Sequence, residues 1–76
     1  METPRTVIDV RIIIRGEIDG RLARVFNGLS VRSDRGVTIV SGWMADETQI
    51  HGLLDTIRGF GLRIVSANWH DVQEAG

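Results

Sequence analysis

Leu29-Ser30-Val31-Arg32-Ser33-Asp34-Arg35-Gly36-Val37-Thr38-Ile39-Val40-Ser41-Gly42-Trp43 reads as two strands around a tight turn. Ser33-Asp34-Arg35-Gly36 is the turn, with Gly36 suited to a positive φ. The spacing predicts a second strand over Leu29–Ser33 and a third over Val37–Trp43. The third strand sorts its residues onto two faces. Thr38, Val40, Gly42 and Met44 fall on one, and Val37, Ile39, Ser41 and Trp43 on the other.

A helix flanks this hairpin on each side. Upstream, Ile18, Leu22, Val25 and Phe26 recur at helical spacing, with Asp19 placed to cap the start and Asn27-Gly28 to end it. Downstream, Asp46 caps a second helix and Gln49 completes a capping box. Ile50, Leu53, Leu54, Ile57 and Phe60 form its apolar stripe, and Gly61 stops it. Further out lie the first strand, Val7–Arg15, and the last, Leu62–Trp69. In the first, Ile8, Val10, Ile12 and Ile14 alternate with Asp9, Arg11, Ile13 and Arg15, the pattern of a sheet with one buried face.

The element order predicts an α+β ferredoxin-like βαββαβ sandwich. Right-handed crossovers give an antiparallel sheet of order 4-1-3-2 with two helices on one face. The chain has 76 residues, enough for one domain. Residues 6–70 are expected to form it, with flexible tails at 1–5 and 71–76.

Composition excludes more chemistry than it assigns. All nine basic residues are arginine, so a Schiff-base or phosphate-loop lysine is ruled out. There is no cysteine, which removes thiol catalysis and cysteine-held metals. The formal net charge of −1 gives no bulk attraction to nucleic acid or anionic membranes. No apolar run reaches membrane-spanning length and the start lacks signal-peptide character, so a cytoplasmic protein is expected. No cofactor and no metal centre are expected. His51, Asp55, Glu47 and Arg58 share one flank of the second helix and read as a solvated, salt-bridged surface. Gly52, Thr56 and Gly59 leave that helix's outer side nearly bare.

With both helices on one side, the other side of the sheet is predicted to be uncovered and apolar. Ile13, Val37, Ile39, Trp43, Val65 and Trp69 are expected on it, which predicts a homodimer packed sheet to sheet. Trp43 and Trp69 then end the third and fourth strands, which flank the first, at one edge of the sheet, with Asp9 between and His70 adjacent, as a candidate small-ligand pocket.

The element order and length resemble ACT-like regulatory domains, and short actinobacterial proteins of the same pattern. Asp19-Gly20-Arg21-Leu22 stands where that family places a glycine turn near its effector site. The resemblance implies a non-catalytic regulatory module that binds a small ligand or a protein. A second similarity points to an enzyme. Gly16-Glu17-Ile18-Asp19-Gly20-Arg21-Leu22-Ala23-Arg24 is similar in spacing to the phosphate cradle of acylphosphatases. That resemblance implies anion binding by Arg24 and the turn's N–H groups, with Ser33 near the water-positioning place.

Overall fold

The computed structural model describes residues 5–26 and 28–74. Strand β1 (Arg5–Arg15) leads into a short helix α1 (Gly20–Ala23), continued by a 3₁₀ turn at Arg24–Phe26. Strands β2 (Ser30–Asp34) and β3 (Val37–Met44) follow, then helix α2 (Glu47–Gly59) and strand β4 (Ile64–Glu74). The protein is α+β, with two helices and a four-stranded antiparallel sheet of order β2-β3-β1-β4. Read from the opposite edge, this is the order 4-1-3-2.

The local devices are legible in the backbone. Arg35 (φ 50°) and Gly36 (φ 83°) both take positive φ, as a two-residue hairpin turn of right-handed strands requires. The Asp46 carboxylate accepts the Gln49 N–H at 2.9 Å, and the Gln49 side chain returns to the Ala45 N–H at 3.1 Å. At the other end of α2, Gly61 donates to Arg58 O at 2.9 Å and Leu62 to Ile57 O at 3.4 Å. That pair of bonds around a positive-φ glycine is a Schellman stop.

Alternation in β1 sends Ile8, Val10, Ile12 and Ile14 into the core with Val40 of β3. Leu22 and Phe26 close over them from the first helical segment, and Ile50, Leu53, Leu54 and Ile57 from α2. Both helices therefore cover one side of the sheet. Thr38 is fully buried among these residues, and its hydroxyl is satisfied by donating to Gly16 O at 2.8 Å. Gly42 takes φ 152°, and an ideal Cβ there would stand 2.6 Å from Leu29 Cδ2. The chain that approaches this glycine closely is Leu29, in the segment entering β2.

Three expectations change. Phe60, assigned to the apolar stripe, is 58% exposed. It is the cap of α2, where the helical turn has already ended, so the stripe's periodicity no longer aims it inward. Arg5 and residues 71–74, expected in flexible tails, belong to β1 and β4, with Asp71 opposite Ile8 and Glu74 opposite Arg5. A strand held by its backbone ladder needs no apolar pattern of its own. The remainder of the expected tails (1–4, 75 and 76) and Asn27 lie outside the described residues.

The third change alters the surface. The register of β4 shifts beside Ile13/Ile14, where Val65 is the extra residue. A bulge of one residue exchanges the faces of everything after it. Ile64 faces the core opposite Ile14, yet Ala67 and Trp69 also face it, opposite Ile12 and Val10. Trp69 and Ala67 therefore lie on the helix-covered side, not the open side.

Candidate functional site

The uncovered sheet face is built from alternate residues of all four strands. The register aligns them in rows. Trp43, Asp9 and His70 make the first. Ser30, Ser41, Arg11 and Asn68 make the second. Arg32, Ile39, Ile13 and Ser66 form the third, and Asp34, Val37 and Arg15 the fourth.

Of the six residues expected to make an apolar face, Ile13, Val37 and Ile39 are there, each half-buried. Trp43 is 56% exposed at the rim, beyond the last pairing of β2 with β3 at Ser30–Ser41. Val65, 52% exposed, is the bulge residue on the edge strand. Trp69 is absent from this face. The face is mixed, with Arg11, Arg15, Arg32, Asp9 and Asp34 among its apolar residues.

The expected pocket of two indoles does not form. Trp43, Asp9 and His70 do come together, with His70 Nε2 at 3.7 Å from Asp9 Oδ2. Trp69 lies at the same end of the sheet but through it, on the other side. Its indole N–H donates to Glu47 Oε1 at 3.0 Å, and its ring meets His51 edge-on at a centroid separation of 5.6 Å. Two residues of the expected α2 flank thus hold a tryptophan against the core. Asp55 pairs with Arg58 at 3.5 Å on the exposed side. Among the described residues no three His, Cys, Asp or Glu side chains stand close enough to hold a metal ion.

A shallow depression of about 190 Å³ opens on the uncovered face, lined by Arg11, Ser30, Arg32, Ile39 and Ser41. Arg11 and Arg32 are exposed and lie on either side of β3. Neither pairs with a carboxylate among the described residues. Ser30 and Ser41, directly opposite one another, put two hydroxyls on its floor. Sequence reading placed Arg11 and Ser41 on this face but passed over Ser30 and Arg32. The alternation Ser30, Arg32, Asp34 around a half-buried Val31 carried the signal, in a strand too short to draw notice.

Two larger clefts lie elsewhere on the domain, the first reaching the Trp43 rim at the end of β3. One, of about 470 Å³, runs between Val25, Leu29, Trp43 and the Gln49–Thr56 side of α2, and no ionisable residue lines it. The other, of about 510 Å³, is bounded by Glu17, Asp19, Arg21 and Phe60. It includes the turn likened to an acylphosphatase cradle. There the Asp19 carboxylate accepts the N–H groups of both Arg21 and Leu22 at 3.0 Å. The bond from Leu22, with help from Arg21, holds the Asp19 carboxyl below its ordinary range. A built-in carboxylate occupies the donors that an incoming anion would need. Gly16 is likewise engaged, its N–H by Gly36 and its carbonyl by Thr38. Ser33 is on the outer strand opposite Thr38, and Arg24 is exposed at the start of the 3₁₀ turn.

Fold and surface together define a small α+β domain with one uncovered sheet face. Residues 9–68 match the family described as a domain of unknown function (DUF8691), and the chain belongs to that family. No curated protein and no solved structure matches it.

Proposed function

We propose that this chain is a non-catalytic binding module of ferredoxin-like topology, related in kind to ACT-like regulatory domains, that works through the uncovered face of its sheet. The observation that carries this reading is the composition of that face. It joins half-buried aliphatics (Ile13, Val37, Ile39) to guanidiniums, hydroxyls and an exposed indole on one rigid surface without helical cover. Rigid strands present side chains with little reorganisation, which favours binding. A hydrolase of acylphosphatase type has less support, because Asp19 already fills the N–H groups of its turn.

A second reading gives the face to another copy of the chain. The aliphatic centre favours it, and the presence of both charge signs allows two copies to match across a twofold axis. Burying Arg11 and Arg32 without partners would cost more than the aliphatics return, so such a dimer has to pair them with Asp9 and Asp34 of the second copy.

Sedimentation velocity at micromolar concentrations, wild type against Ile39→Asp, tests the second copy as occupant. Two-dimensional NMR during titration with nucleotides and amino acids tests a small molecule. In either case the perturbed amides are expected at alternate positions of β1 and β3, from Asp9 to Ile13 and Ile39 to Trp43. A wild type that stays monomeric, with perturbations confined to the helix side, would overturn the reading.

A further inference from the structure

Arg11 and Arg32 line one depression together with Ser30, Ser41 and Ile39. Like charges brought together on an exposed surface repel, and an oxyanion between them relieves that repulsion. Guanidinium groups offer forked N–H pairs that match carboxylate and phosphate oxygens. Two forks and two hydroxyls supply more donors than a single carboxylate can accept. The three terminal oxygens of a phosphate monoester can use them all.

The neighbouring acids do not compete for this role. Asp9 is engaged with His70 in the adjoining row. Asp34 lies one row beyond Arg32, opposite Val37 near the hairpin turn. In the other direction, Trp43 follows Ser41 two residues along β3, roughly 6.6 Å away on the same side of the strand. Its indole is more than half exposed and offers a flat apolar plate. A sugar is long enough to bridge a ring on that plate and a phosphate in the depression.

We infer that the uncovered face binds a nucleoside monophosphate, its phosphate held by Arg11, Arg32, Ser30 and Ser41 and its base laid on Trp43. The inference rests on the reading of that face as the binding surface. The same chemistry exists in a free nucleotide and in a nucleic-acid strand. The free nucleotide is the better match, because a strand needs a track of positive charge. This face has one such cluster, interrupted by Asp9 and Asp34.

Isothermal titration of the full chain with AMP, adenosine, inorganic phosphate and a short oligoadenylate tests the assignment. AMP is expected to bind saturably and more weakly as salt rises, phosphate to bind less tightly, and adenosine to give no measurable heat. Arg11→Gln and Arg32→Gln should each weaken AMP by about tenfold or more, since each removes charge-assisted bonds. Trp43→Leu should weaken AMP by about tenfold while leaving phosphate unchanged. All three positions are exposed, and circular dichroism verifies that the variants fold. Equal AMP binding by the arginine variants, adenosine binding as tight as AMP, or oligoadenylate binding tighter than AMP would each overturn it. If AMP fails while self-association still perturbs the amides of Arg11 and Ile39, the nucleotide assignment falls and the face remains the binding surface.

Discussion

Gly42→Ala isolates how β3 accommodates the chain entering β2. Two separate costs act at this position. The first is contact, since the new methyl would sit 2.6 Å from Leu29 Cδ2, against 3.5 Å from Leu29 Cα. The tight contact is with the end of a flexible side chain, which can turn away at little expense. The second is conformational. Gly42 holds φ 152°, a region that L residues rarely enter, and cross-strand pairing with Val10 leaves it little freedom to leave. Such backbone strain costs of order 1–3 kcal/mol, and it should dominate. A domain of this size has only about 4–11 kcal/mol of stability in total. The thermal midpoint is therefore expected to fall by roughly 4–8 °C for each kcal/mol lost.

Urea unfolding followed by circular dichroism measures the loss, and a cycle with Leu29→Ala apportions it. If strain dominates, Gly42→Ala costs nearly the same whether it is made in the wild type or in the Leu29→Ala background. If contact dominates, the truncated neighbour rescues most of the loss. A Gly42→Ala protein as stable as the wild type would refute both parts of the reasoning.

Thr38→Val keeps the shape of a fully buried side chain but removes the donor to Gly16 O; leaving that carbonyl without its partner should cost about 1–3 kcal/mol, and unchanged stability in urea would show the bond to be unimportant. The depressed pKa of Asp19 implies a stability contribution fully present above the ordinary aspartate pKa of 3.8 and lost as pH falls through the lower folded value. Asp19→Asn retains a capping oxygen without the titration, so the wild-type advantage over it should shrink between about pH 5 and pH 2 in thermal melts; a constant difference across that range would contradict the assignment.

How far the fold could be read from the residues differs from strand to strand. In β1 the aliphatic alternation is complete, and the buried set is Ile8, Val10, Ile12 and Ile14 as the pattern predicts. The hairpin turn and the Asp46–Gln49 cap also depend on local chemistry alone, and both are present. In β4 the pattern misleads, because Ile64-Val65-Ser66-Ala67 contains no glycine or proline to announce a bulge. Without the bulge Trp69 reads as an outward residue. With it, the indole turns inward to Glu47 and His51, and half of the supposed two-tryptophan pocket disappears. Asp9 and His70 are legible as neighbours because Trp43 and Trp69 are read as the ends of the two strands that flank β1, which brings Asp9 and the residue after Trp69 to the same end of the sheet. The guanidinium pair escapes notice because Arg11 and Arg32 are far apart in sequence and meet only through the order of strands around β3.

The central position of β1 also governs how the molecule assembles. Its two ladders join it to β3 across a short stretch of chain and to β4 across nearly all of it. Contacts between such distant segments slow folding, because the intervening loop must close before the pairing can compensate. During synthesis the first strand emerges well before its outer partner. Until that partner arrives, one whole flank of a strongly aliphatic strand offers unmatched amides to any other extended chain nearby. The Arg5–Glu74 end of the ladder then acts as a clasp that shuts this flank, so truncation near either end should first appear as aggregation during expression.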